Sequence, residues 1–355
     1  MEADAVAQAV GRVVAAARAA GEAGDWEEYG ALLKRAGVDG AGAVRVGLEL
    51  IGSAEPLERE IGCDLLGEAS GQNEAVRGAT AAALVALAAR ETEGCVLRSL
   101  VRAIGGTGEA GAVPVLVALA GHPDAGVRQE VASSFPGVLA GRPDGAEVRA
   151  LVTLTRDEDP EVRNWATFTL GFQAEADGPE IRAALWERTA DDHADVREEA
   201  IRGLARRHDP RAVPLLGALL EDPAGAHVHT FAAARIMGAP ELLPALLEYE
   251  PDAAGVAAAV RACDPVQRGQ LDAGAWELLT ALHRLCPERD ASVHREVFGP
   301  DLTLGLLGAG GPSNYDVEAL LARAGGAPLV AAELVVREEA ARPLQPAGVC
   351  LPGDG

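Results

Sequence analysis

Lysine is almost missing from this chain of 355 residues: Lys34 is alone among 31 basic residues. Aromatics are scarce too, with four Trp, three Tyr and five Phe. The five cysteines, Cys63, Cys95, Cys263, Cys286 and Cys350, are widely spaced and form no C-x-x-C. That argues against a disulfide framework and a zinc site. No run of about 18 apolar residues lacks charge or Gly/Pro breaks, so no membrane span is expected. No basic segment followed by an apolar run opens the chain, which begins with acidic residues. These absences lead to the expectation of a cytoplasmic protein. Positive charge is short overall: acids outnumber bases 54 to 31, for a net charge of −23. A nucleic-acid partner needs phosphate-neutralising Lys and Arg and is therefore not expected. A basic protein partner suits the field better, although acidity also serves solubility alone. The Arg-, Ala- and Gly-heavy, Lys-poor composition matches a GC-rich bacterial genome.

What is present is a recurring phrase. Asp159-Pro160-Glu161-Val162-Arg163 resembles Pro123–Arg128 and His193–Arg197, and Val127, Val162 and Val196 lie 35 and 34 residues apart. A fixed period of this size marks a stack of helical repeats. Each repeat is expected to hold two helices. The second begins at the phrase: Asp159 caps it, Pro160 takes the first helical position, and Val162, Ala166 and Leu170 fall on one face. Gly171 is expected to end that helix. The same pattern gives Val127–Val131–Phe135, Val196–Ala200–Leu204 and Val96–Leu100–Ile104, and predicts Val228–Ala232–Ile236 at a step of 32. The first helices share Ala112-Val113-Pro114-Val115-Leu116 and Ala212-Val213-Pro214-Leu215-Leu216, with Pro in the first turn.

Residues 1–90 read as degenerate N-terminal helical repeats or a cap, with helices at 3–20, 26–36, 41–51, 57–66 and 75–90. Residues 91–262 read as regular repeats. Residues 263–342 read as an irregular helical region, with helices at 276–285, 317–323 and 329–340 and a loop at 298–314. Residues 343–355, rich in Pro and Gly, read as a disordered tail. No β-strand pattern is evident, so the fold class is all-α.

The D-P-x-V-R…A…L-G helix followed by A-V-P-x-L resembles bacterial HEAT repeats, including the phycobilin-lyase-type HEAT-like repeats. The match is clear over 96–247. The resemblance implies a right-handed α-α superhelix that binds proteins along its concave face. It also implies a ladder in which turn acids Asp124, Asp159 and Asp195 pair with Arg128, Arg163 and Arg197. An acid at a helix N-terminus and a bridging guanidinium would satisfy orphan groups between layers. Deoxyhypusine hydroxylase, a HEAT enzyme, holds iron with His-Glu dipeptides, and none of the seven His here precedes Glu.

Candidate chemistry is sparse. Gly106-Thr107-Gly108-Glu109-Ala110-Gly111 spells G-x-G-x-x-G, but it follows a helix and reads as an inter-helix turn. His227 and His229 would point apart on a helix and so share no metal easily. Asp157-Glu158-Asp159 and Asp191-Asp192 sit where helix caps belong. The individual feature is aromatic: Trp165, Phe168, Phe172 and Trp186 fall within 22 residues. They either fill a hole in the core or stand on the concave face as anchors. The residue after each ladder Arg is expected near that face, giving the row Gln129, Asn164, Glu198 and Thr230. With Arg202 and the four aromatics, this row is the expected partner-binding set. No catalytic residue, metal ligand or cofactor is assigned. The function expected is a non-enzymatic scaffold for a protein partner, possibly basic. The alternatives are an immunity-type inhibitor of a basic toxin, and a lyase-type chaperone or enzyme acting on a small molecule such as a tetrapyrrole.

Overall fold

The computed structural model describes residues 11–15, 27–38, 40–222, 225–299, 301–308 and 311–342. The expected tail 343–355 lies outside them, as does the expected helix 3–20 apart from 11–15. By its contacts the chain divides into two compact units, Met1–Gly203 and Leu204–Gly355.

The first unit is helical throughout its described residues. Its elements are α1 (Glu27–Gly37), α2 (Gly40–Leu50), α3 (Pro56–Gln72), α4 (Arg77–Ala88), α5 (Gly94–Thr107), α6 (Val113–Leu119), α7 (Ala125–Ser134), α8 (Ala146–Leu154), α9 (Pro160–Phe168), α10 (Pro179–Arg188) and most of α11 (Ala194–Arg206). The second helices α3, α5, α7 and α9 pack in sequence against one another. This is the stacked all-helical repeat that the 34–35-residue period implies.

The caps set the phase of each second helix. Asp124 accepts from the Val127 N–H at 3.1 Å, and Asp159 accepts from those of Glu161 and Val162. The third residue after the cap then points into the core. Val96, Val127, Val162 and Val196 are all fully buried, each worth about 1.5–3 kcal/mol. The G-x-G-x-x-G stretch is an inter-helix turn: α5 stops at Gly108 (φ 68°), a left-handed position that favours glycine.

The second unit holds α12 (Ala212–Leu220), α13 (Val228–Met237), α14 (Leu243–Leu246), α15 (Val256–Cys263) and α16 (Pro265–Leu285). A three-stranded antiparallel sheet follows, ordered β1 (Asp290–Arg295), β2 (Leu302–Gly308), β3 (Gly311–Asp316), and then α17 (Val317–Arg323) and α18 (Pro328–Ala340). Among the described residues no single helix is long and apolar enough to cross a membrane.

Two expectations are corrected here. The first is the helix phase at Val228. The cap of α13 is His227, not a residue three before Val228. Val228 is therefore 43% exposed, and Thr230, at 5%, takes the core position. The step from Val196 becomes 34, and Ala234 and Gly238 follow where Ala166 and Leu170 stand in the preceding pattern of Val162.

The second is the loop at 298–314, which is largely sheet. Leu304 pairs with Val293 on one side and Tyr315 on the other. Apolar alternation is strongest in β2, with Leu302, Leu304 and Leu306 buried. The flanking strands are polar and carry Pro312, which an edge strand tolerates. Leu278, Leu282, Leu320, Ala331 and Val335 from α16, α17 and α18 complete this core. Glu339 of α18 is buried and receives hydrogen bonds from Ser313 Oγ (2.7 Å), Tyr315 OH (2.8 Å) and Arg289 Nη1 (2.5 Å). Burial opposes its ionisation, but these donors outweigh it and hold the carboxyl below the ordinary range.

Candidate functional site

The fourth residue after each cap builds the ladder. Arg128 Nε and Nη2 fork onto Asp157 at 2.7 and 2.8 Å, while Nη1 donates to the carbonyls of His122 and Pro123. Arg163 repeats this on Asp191, at 2.9 and 3.0 Å, and on the carbonyls of Asp157 and Glu158. Arg197 ties the carbonyls of Asp191 and Asp192.

The acids implied by the resemblance are thus displaced. Asp124 and Asp159 are committed to capping, and Asp195 lies exposed in the first turn of α11. The receiving carboxylates stand two residues before the cap, where they also accept the N–H of the cap residue: Asp159 N to Asp157, His193 N to Asp191. Burial works against Asp157 and Asp191 as anions, yet the arginines and these backbone donors keep both carboxyls below the ordinary range.

A rung that sequence reasoning missed lies upstream. Arg59, four after Glu55, forks onto Glu91 at 2.7 and 3.1 Å and holds the Ser53 and Ala54 carbonyls. The signal was the dipeptide Glu55-Pro56, a disguised form of Asp159-Pro160.

The fifth, sixth and ninth residues after the cap line the second-helix face. In the N-terminal repeats this face is polar. Tyr29 OH donates to Asp64 at 2.6 Å, and Arg102 forks onto Glu130 while lying 3.6 Å from Asp64. Burial raises the Asp64 carboxyl, against the pull of Tyr29 and Arg102. Asp64, Arg102, Phe168 and Arg202 each stand nine after their caps, so extending the register upstream would have found the first two.

In α9 the face turns aromatic. Trp165 meets Phe168 edge to face at 5.9 Å, and Phe168 stacks on Phe172 at 5.8 Å with ring planes 14° apart. The helix does not end at Gly171 but widens into a π-turn over Thr169–Gln173, which carries Phe172 outward. Trp165 and Phe172 are 37% and 42% exposed, so these rings are not core filling. The Arg202 guanidinium lies 5.2 Å over the Phe172 ring and donates to Glu199 at 2.5 Å. Burial raises the Glu199 carboxyl. Among the described residues, Glu199 Oε2 and Asn164 Oδ1 are sealed from solvent and meet no hydrogen-bond donor.

The remaining candidates divide. Gln129 and Glu198 are half-buried beside Arg128 and Arg197. Trp186 is 41% exposed but stands on α10, a first helix, not on the row with Trp165. Thr230 is buried in the core and does not belong to a surface row; the shifted phase puts Ala232 five after the cap. His227 and His229 do not point apart, their rings being 4.7 Å from each other, because His227 is the extended cap and not a helical residue. Among the described residues no three His, Cys, Asp or Glu gather as a metal site would require.

Residues 148–238 match the model of HEAT repeats. Protein YibA of Escherichia coli K12 is 37% identical over 73 residues, 21% of this chain and 26% of YibA. The matched stretch thus spans about a quarter of that relative. The crystal structure of Escherichia coli YibA superposes with a TM-score of 0.51 at 24% identity, covering 63% of this chain and 82% of that one. This is a likeness of fold. The complex of CpcE and CpcF of phycocyanin lyase from Nostoc sp. gives a TM-score of 0.40 at 17% identity, over 62% and 86% of the chains, too slight to bear on function.

Proposed function

We propose that this HEAT-repeat protein is a non-enzymatic scaffold that grips a basic protein partner along the second-helix face of its first unit. The observation that carries the reading is the mutually packed set Trp165–Phe168–Phe172, of which Trp165 and Phe172 are exposed. Large rings held rigid at a surface are the usual anchors of protein interfaces. Their surroundings suit a cationic partner. Glu198, half-buried, lies one repeat away. A net charge of −23 adds steering toward positive surfaces.

The test uses the full chain as bait, with cross-linking and mass spectrometry to locate the contact. The expected capture is a basic protein cross-linked within residues 129–202. The double substitution Trp165→Ala, Phe172→Ala is expected to weaken it at least tenfold, about what loss of one hot spot costs. Undiminished affinity in that variant, with the fold intact by circular dichroism, defeats the reading.

A further inference from the structure

The second unit contains a cavity of about 390 Å³ that the scaffold reading does not use. Its wall includes four arginines, Arg235, Arg261, Arg268 and Arg295, and one carboxylate, Glu318. In a chain with so large an excess of acid, this is a local reversal of sign. Three of the arginines have carboxylate partners: Arg235 with Asp301 at 2.5 Å, Arg261 with Glu318 at 2.7 Å, and Arg295 with Asp272 at 2.8 Å. Arg268 has none among the described residues. It donates Nη1 to the Gly238 carbonyl at 3.0 Å. Gly238 holds φ at 56°, and a Cβ there would come within 3.0 Å of that same nitrogen. The glycine thus leaves room for the guanidinium. Besides these the wall carries the polar His208, Gln267 and Gln270 and an apolar part formed by Ile236, Ala258, Leu271 and Leu321.

We propose that this cavity binds a small amphipathic anion: one carboxylate or phosphate on a compact apolar body. The anionic group pairs with Arg268, whose Nε–Nη2 edge is left for bidentate contact while Nη1 holds the Gly238 carbonyl. The apolar body lies against Ile236, Leu271 and Leu321. The volume falls at the lower end of small-molecule sites, which run about 300–1,000 Å³, so a single ring with one charged substituent is the size it admits.

Titration calorimetry on the full chain tests this with phenyl phosphate and benzoate as probes. Inorganic phosphate serves as the anion without the body, and benzyl alcohol as the body without the charge. At least one charged probe is expected to bind at a single site, about tenfold or more tighter than both controls, and the tighter of the two names the preferred head group. Arg268→Gln is expected to weaken it at least about tenfold, the scale of a lost charge-assisted hydrogen bond. Ala258→Leu, which fills the cavity, is expected to abolish it, and Trp165→Ala to leave it unchanged. Absence of saturable binding by both charged probes overturns the proposal, as does full affinity in a folded Arg268→Gln. Should that variant fail to fold, full affinity in Ala258→Leu overturns it instead.

Discussion

Gly171 and Gly203 meet backbone to backbone: a Cβ on Gly203 would lie 2.7 Å from the Cα of Gly171. No flexible side chain stands between them to give way. The contact also brings their neighbours together, since Phe172 and Arg202 sit one residue to either side. Gly203→Val is therefore expected to cost about 1–3 kcal/mol through overpacking. It should also separate the guanidinium from the ring. Urea unfolding followed by circular dichroism checks the first effect, and a crystal structure of the variant the second. A midpoint equal to wild type would show that the helices can part without loss.

The ladder gives a comparison between two aspartates four residues apart. The Asp191 side chain is 2% exposed and serves Arg163 and Arg188 at once, both at 2.9 Å. Asp195 is exposed. Asp191→Ala leaves Arg163 without its carboxylate, while Arg188 keeps Glu187 at 2.7 Å, and is expected to cost about 3–5 kcal/mol. Asp195→Ala is expected to stay within about 0.5 kcal/mol, as surface changes do. Thermal unfolding of the two variants side by side would expose an error in the assignment if their order were reversed.

The phase of α13 yields a third test. Val228→Asp falls on an exposed residue in the first helical turn, where an acid is welcome, and is expected to change stability by less than about 0.5 kcal/mol. Thr230→Asp would bury a carboxylate in the valine row and is expected to cost more than about 3 kcal/mol. Denaturant midpoints for the pair distinguish a 34-residue step from one of 32.

How far the sequence carried the structure depended on what each signal encoded. Caps and valines recur because every repeat solves the same problem, so the helix pairs from Val96 to Leu220 could be read directly. The slip at Val228 arose because a threonine occupies the valine position and a valine happens to stand two residues earlier. The ladder acids were misplaced because two aspartates flank each turn. Only the buried fork separates the bridging Asp157 from the capping Asp159. The sheet was hidden because its two outer strands, DASVHR and GPSNYD, are short, mostly polar and bury one residue each, Ala291 and Ser313. In the candidate site, the aromatic cluster was visible as an oddity of composition. Its exposure was not, since spacing alone does not say on which side of a π-turn a ring emerges.

Glu339 supplies the pH prediction. Its carboxyl is held below the ordinary value of about 4.3. Such a group binds a proton more readily in the unfolded chain. Its stabilisation is therefore complete above the unfolded value and is lost as pH falls through the lower, folded one. Glu339→Gln is expected to lose about 3–5 kcal/mol at pH 7 by leaving Arg289 unpaired. It should also flatten the decline of the melting temperature between about pH 5 and pH 3. An acid limb as steep as that of wild type would show that other carboxylates govern it.

The rungs Arg59–Glu91, Arg128–Asp157 and Arg163–Asp191 all run the same way: the guanidinium comes first in the chain and the carboxylate about thirty residues later. Each arginine also holds the carbonyls of its own turn, so every contact but the carboxylate lies within its own repeat. A chain made from its N-terminus thus presents a finished socket to every repeat that leaves the ribosome. The stack carries an arrow of assembly. Shortening it from the C-terminal side orphans a cation, whereas shortening it from the N-terminal side orphans an anion.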